Sequence, residues 1–296
     1  MTDQLEPDAL AGIPERQAPG WKMARRGFVM TSLMTGLTLA TPHALAHVIH
    51  TDAVGLQAGE VLVPVADGHI PAYAARPDGP GPFPTVLVIE EIFGVHDYIK
   101  DVCRRLAKLG YLAVAPELYA RLADLSKMTD PQQIFLDVIS KAPDAIILAD
   151  LDSTVAWARA QGHGDTARLA VTGFCRGGRD VWLYAAHNPA LKAAVAWYGP
   201  VGGTPTPIQP HTALEVASGL RCPLLGLYGG ADASIPQDQV QAAAAAARSA
   251  GRTVEIVVYP DAPHGFHADY RPSYHREAAQ DGWQRMLAWF RSHGVA

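Results

Sequence analysis

The stretch from Arg168 to Asp180, R-L-A-V-T-G-F-C-R-G-G-R-D, constrains this chain more than any other. Leu169 to Val171 make a short apolar run of β type, Gly173 and Gly177 bracket Cys175 in the spacing G-x-C-x-G, and a helical segment follows from Gly178. A strand that reverses this sharply into a helix leaves no room for side chains beside the residue at its apex, so glycines flank it. The apex residue is strained and stands above the sheet edge. It also sits at a helix N-terminus, where the positive end of the helix dipole favours an anionic nucleophile. The competing reading is a buried structural cysteine between two ordinary turn glycines.

The 296 residues, 49% of them hydrophobic and 18% charged, suit one large α/β core. A net charge of −5 with no long lysine or arginine run gives no basic field for nucleic acid. The first 46 residues differ in kind. A polar stretch to residue 20 precedes Ala24-Arg25-Arg26-Gly27-Phe28-Val29-Met30, a modestly apolar run reaches Ala40, and Ala44-Leu45-Ala46 forms an A-x-A site. Together they read as a twin-arginine export leader, with a mature periplasmic chain from about His47. Thr31, Ser32, Thr35, Gly36, Thr38 and Pro42 make the span too short and polar for a membrane anchor, so no membrane association is expected after cleavage. Cys103, Cys175 and Cys222 are too few and too scattered for a disulfide framework or a zinc ribbon. Cys103 falls in a helical pattern and Cys222 just before a strand, which suits core positions.

In the mature chain, Glu60 to Val65 and His69 to Ala75 around Asp67-Gly68 read as a β-hairpin. Strands are expected at Thr85 to Ile89, Tyr111 to Ala115, Leu169 to Val171, Ala193 to Trp197, Pro223 to Tyr228 and Thr253 to Tyr259. Helices are expected at Tyr98 to Leu109, Pro131 to Ser140, Ala145 to Gln161, from Gly178, at Pro236 to Ala250 and at Ser273 to Arg291, with a loop from Tyr198 to Gly219. This alternation predicts a single domain over residues 47–296, a mostly parallel, doubly wound sheet with helices on both faces. Ligands of such sheets bind beyond the carboxyl ends of the strands. Glu91, Cys175, Asp232 and His264 each follow an expected strand, so they should converge.

A thiol that attacks an ester or lactone carbonyl needs a base, a group to orient the base, and donors for the oxyanion. His264 in a tight P-H-G turn is the best base, and Asp232 after G-G-A is placed to fix its tautomer. The backbone N–H groups of Ile92 and Arg176 could form the oxyanion hole. Other readings compete. His264 and His267 spell an H-x-x-H metal pair, though no third ligand at useful spacing supports it. Asp232 could merely cap the helix from Pro236. Glu90 and Glu91 could be solvated charges, or the one facing the pocket could tune Cys175; strand alternation allows only one of them to do so.

Five motifs now carry a resemblance: E-E-I-F-G at Glu90 to Gly94, P-E-L-Y-A-R at Pro116 to Arg121, G-F-C-R-G-G at Gly173 to Gly178, G-G-A-D at Gly229 to Asp232 and H-G-F at His264 to Phe266. In this order they resemble the dienelactone hydrolase family, over nearly all of the mature chain. The resemblance implies an α/β-hydrolase fold and a Cys175, Asp232, His264 triad. It also implies a role for Glu91 in contacting the resting cysteine, and hydrolysis of 4-carboxymethylenebut-2-en-4-olide without cofactor; the chemistry of the residues themselves is read as cleavage of a lactone or small carboxylic ester with no metal. Family members that cleave the dienelactone hold its carboxylate with arginines, one of them four residues after the histidine, where this chain has Ala268. Arg176, Arg179 or Arg271 could supply a different anion site, and Tyr198 and Phe266 are further substrate-binding candidates. The alternative from another class is a non-catalytic ligand-binding or thiol-sensing protein on the same fold. The sequence fixes no oligomeric state.

Overall fold

Short apolar runs with no polar face are satisfied only in the middle of a sheet, and the computed structural model, which describes residues 48–296, places them there. The leader expected over residues 1–46 lies outside the described residues. Strands β4 (Leu112–Pro116), β6 (Ala193–Trp197) and β7 (Leu224–Gly229) are buried at every position, and β3 (Phe83–Ile89) at all but its first. β5 (Gly164–Phe174) runs through the centre. β1 (Leu56–Val65) and β8 (Val254–Tyr259), which expose much of their length, form the two edges.

With β2 (Gly68–Pro77), these strands make one eight-stranded sheet in the order β1-β2-β4-β3-β5-β6-β7-β8. The pairs β1/β2 and β2/β4 are antiparallel and the rest parallel. Helices α1 (Asp97–Lys108), α2 (Pro131–Asp137), α3 (Asp144–Ala160), α4 (Arg176–His187), α5 (Ala213–Val216), α6 (Gln237–Ser249) and α7 (Arg276–Ser292) surround it. This is the mostly parallel, helix-flanked sheet that the alternation of elements predicts, in the α/β-hydrolase arrangement that the resemblance implies.

The differences are local. Gly164 to Arg168, with no apolar run of their own, join β5 because Phe83 and Pro84 pair with Gly164 and Asp165. α2 stops at Asp137, short of Ser140, and Ile139–Lys141 form a tighter 3₁₀ turn. The expected loop from Tyr198 to Gly219 contains α5, where Thr212 and Glu215 cap each other reciprocally in the T-x-x-E pattern. Ahead of β1, residues 48–55 lie as a strap on α1: Asp101 accepts from the Thr51 N–H at 2.6 Å, Arg104 donates to the Thr51 carbonyl at 2.7 Å, and Asp269 accepts from the Ile49 N–H at 3.3 Å.

The topology locates the site. From β3 the chain crosses to β4 on one side, and later returns to β5 on the other, so the sheet has its switch point between β3 and β5. Ile89 pairs with Gly173, so Glu91 and Cys175, each two residues further on, emerge side by side. The N-terminus of α4 is drawn tightly onto this point. A Cβ at Gly177 would stand 2.6 Å from the Ile89 carbonyl oxygen, and one at Gly173 2.5 Å from that of Gly177. Backbone cannot yield as a flexible side chain does. Gly177→Ala is therefore expected to destabilise the fold by about 3 kcal/mol, seen as a fall in Tm of about 6–12 °C for a domain of this size. An unchanged melting curve would contradict the packing described.

Candidate functional site

Cys175 occupies the apex between β5 and α4 with φ 53° and ψ −116°, a conformation that a non-glycine residue adopts only under strain. The apex is fixed from both sides. The Cys175 N–H donates to the Trp197 carbonyl at 3.0 Å, and the Cys175 carbonyl accepts from Gly178 and Arg179 at 2.9 and 3.3 Å. The side chain is wholly buried. Arg176 is the first residue of α4, so its N–H has no acceptor within the helix, and Ile92 lies in the turn after β3.

The loops after β7 and β8 bring two more residues to the thiol. His264 Nε2 lies 3.2 Å from the Cys175 Sγ, and His264 Nδ1 lies 2.7 Å from Asp232 Oδ2. The other Asp232 oxygen accepts from the Ser234 N–H at 2.8 Å and from its hydroxyl at 2.5 Å. Burial pushes the Asp232 carboxyl up, yet the hydrogen bond and charge of His264, with Ser234, hold it below the ordinary value. Burial pushes His264 down, but the negative charge of Cys175 and the hydrogen bond that the imidazole donates to Asp232 outweigh it and carry the imidazole up to about 10. Three groups from three loops form one hydrogen-bonded line.

Glu91 comes to the same place with different partners. Its Oε2 accepts from Arg271 Nη2 at 3.1 Å and from the Tyr270 hydroxyl at 2.8 Å, with His96 Nε2 3.9 Å away. Burial alone would raise this carboxyl, but Arg271, aided by His96 and Tyr270, brings it down to about 2. This ion pair uses one carboxylate oxygen; Glu91 Oε1 is buried with no hydrogen-bond partner among the described residues, and the thiol itself is hydrogen-bonded to His264. Arg271 is itself buried, packed between the rings of Phe93 and Tyr270, and its Nη1 has no hydrogen-bond partner among the described residues.

Two candidate anion-binding arginines are corrected. Arg176 and Arg179 are buried on α4 and committed to the carboxylates of Asp144 and Asp180, with Arg179 to Asp144 at 2.9 Å through both Nη atoms. An otherwise buried helix needs these pairs, since an unpaired charge there costs several kcal/mol. Neither guanidinium is left for a substrate. Phe266 is likewise a packing residue, enclosed by Trp197, Tyr198 and Tyr259. Tyr198 does border the site, edge-on to His264 with centroids 5.2 Å apart and with φ 36°. The H-x-x-H pair does not form. His267 bonds the Tyr98 hydroxyl at 2.6 Å, stacks on Phe174 and Trp283, and is kept neutral by burial and by Arg105. Among the described residues no group of three His, Cys, Asp or Glu is placed to hold a metal ion.

Residues 70–294 match the dienelactone hydrolase family. The chain belongs to that family. A Methylorubrum extorquens protein named "Putative carboxymethylenebutenolidase" is 58% identical over 275 residues, covering 93% of this chain and 94% of its own. An Escherichia coli K12 protein of the same name is 49% identical over 265 residues, covering 89% and 97%. The crystal structure titled "Putative Dienelactone Hydrolase" from Klebsiella pneumoniae superposes with a TM-score of 0.78 at 56% identity, covering 80% of this chain and 98% of that one. This dienelactone hydrolase relative is accordingly a hydrolase of the carboxymethylenebutenolidase-like kind. Ser234 and Tyr270 escaped the sequence reading. The D-x-S spacing after Asp232 was a legible signal for the first, because a serine two residues on closes an Asx-type turn.

The charge of the sulfur is a main reason for the high His264 pKa, which gives a test. In Cys175→Ala the His264 pKa is expected to fall well below about 10 while the fold is retained, as an NMR titration of the ring would show. In the wild type the stabilising contribution of His264 is complete below its unfolded pKa of about 6.5 and is lost as pH rises through about 10. An equal His264 pKa in both proteins would deny the coupling.

Proposed function

We propose that this protein hydrolyses a lactone or small carboxylic ester, with Cys175 as nucleophile, His264 as acid–base and Asp232 as the residue that orients His264. The observation that carries the reading is the line Cys175 Sγ, His264, Asp232, at 3.2 and 2.7 Å, set on a strained apex at the switch point of the sheet. With its proton transferred to His264, the sulfur attacks the carbonyl carbon, and the N–H groups of Ile92 and Arg176 receive the developing oxyanion. Collapse expels the alkoxide, which takes its proton from His264 and leaves a thioester. His264 then removes a proton from water as it attacks the thioester. The second tetrahedral intermediate collapses with cleavage of the C–S bond, the acid product leaves, and the proton now on His264 restores the starting Cys175–His264 pair. Cys103 and Cys222 do not compete for this role, because burial raises both thiols, Cys222 to about 12.

Arg271 is the cation nearest this chemistry with an unoccupied donor, but it already carries Glu91. A substrate carboxylate would meet a neutral pair rather than a bare charge. We therefore expect neutral esters or lactones to compete with carboxylated ones to within roughly tenfold in kcat/KM, about 1.4 kcal/mol. A larger preference for the anionic dienelactone would mean that Arg271 leaves Glu91 when substrate binds.

The mechanism is tested on the purified protein. Cys175→Ala and His264→Ala should each remove nearly all turnover, and the double variant should be little worse than either, because residues that act as a unit are not additive. Thiol alkylation should give a single adduct, on Cys175, with a matching loss of activity. Full activity with Cys175 blocked would overturn the proposal in favour of a non-catalytic role for the thiol.

A further inference from the structure

Glu90, the neighbour of Glu91 on the opposite side of the strand end, is fully buried and takes no part in the chemistry above. Its Oε1 accepts from the Leu118 N–H, just beyond β4, at 2.8 Å. Glu117, at the end of β4, does the converse: its Oε1 accepts from the Val95 N–H, in the turn beyond β3, at 3.2 Å. Each carboxyl therefore ties its own strand to the exit of the other. The two remaining oxygens converge on Gly94, where a Cβ would stand 3.2 Å from Glu117 Oε2 and 3.8 Å from Glu90 Oε2, and Glu90 Oε2 is buried with no other hydrogen-bond partner among the described residues. Two facing carboxyls bond only if one keeps a proton.

What they hold is the turn from Glu90 to Val95, closed by a bridge between Glu91 and Gly94 and carrying the Ile92 N–H. We propose that Glu90 and Glu117 are positioning residues whose shared proton keeps the Ile92 turn in place for oxyanion stabilisation, so that loss of this proton, rather than any change at Cys175, limits turnover at alkaline pH. The assignment rests on the reading of Cys175 and Ile92 given above.

The surroundings favour such a proton. Burial, then the charge of Glu117, raises Glu90 well above the ordinary carboxyl range, and burial raises Glu117 too. Asp180 on α4 and Tyr119 also face Glu90, and Asp180 is occupied by Arg176 and Arg179. Glu60 on β1 and Lys100 on α1 face Glu117, but they pair with each other at 2.6 Å. The native state thus keeps a proton that the unfolded chain loses in the ordinary carboxyl range, so rising pH works against the closed turn.

The test compares two reactions of the same sulfur across pH. Ester turnover needs the oxyanion donors; alkylation by iodoacetamide, an attack on saturated carbon, does not. In the wild type kcat should fall at least tenfold on the alkaline side, below the pH of about 10 at which His264 loses the proton it gives the leaving group, while the alkylation rate of Cys175 does not fall. Glu117→Gln and Glu90→Gln each supply a permanent N–H in place of the shared proton, and each should keep near-neutral kcat within about threefold while shifting the alkaline fall upward or abolishing it. Glu117→Leu should lower kcat at every pH with little change in KM. The proposal is overturned if both glutamine variants show the wild-type alkaline fall, or if alkylation and turnover decline together. Failure of the nucleophile assignment would appear differently, as turnover that survives in Cys175→Ala.

Discussion

The site depends on a backbone contact: the first turn of α4 seated against the carbonyls at the end of β3, with Gly177 between them. Any side chain there would push the helix away from the sheet. The Cys175 apex would move from the Ile92 turn, and the imidazole delivered by the β8 loop would miss its sulfur. The strain at φ 53° persists because hydrogen bonds to Trp197, Gly178 and Arg179 over-determine the apex.

Around that contact the protein buries several ionisable groups and sets most of them against a partner. Arg176 and Arg179 face Asp144 and Asp180, Arg271 faces Glu91, His264 lies between Cys175 and Asp232, and Glu90 faces Glu117 across Gly94. Removing one partner from such a pair strands a charge in a medium that cannot solvate it, at a cost of about 3–5 kcal/mol. The chemistry therefore takes place among dipoles and charges fixed before substrate arrives, which is the condition for strong electrostatic stabilisation of a transition state.

Much of this was legible in the sequence, for identifiable reasons. Strands such as Ala193–Trp197 are read easily because a run buried on both faces has no other home in a small fold. Cys175, Asp232 and His264 fall after strands with local turn signatures, so topology alone brings them together. The use of each arginine was not legible. Arg176, Arg179 and Arg271 look alike in one dimension, and only the fold shows that α3 delivers Asp144 to the first two while the turn after β3 delivers Glu91 to the third. Glu117 was hidden for the same reason, since its partner Glu90 lies on a neighbouring parallel strand 27 positions earlier.

The placing of the three thiols has an oxidative consequence. A cysteine oxidised to the sulfenic acid is rescued most simply by a second thiol that condenses with it, and without one further oxidation leads to the irreversible sulfinic and sulfonic acids. Cys103 sits inside α1 and Cys222 just ahead of β7, both buried and both with raised thiol pKa values. Neither is a resolving partner for Cys175. Protection of that sulfur from peroxide falls to its burial and to reduction from outside the chain, so a peroxide dose that spares the fold would still leave permanent damage at one atom.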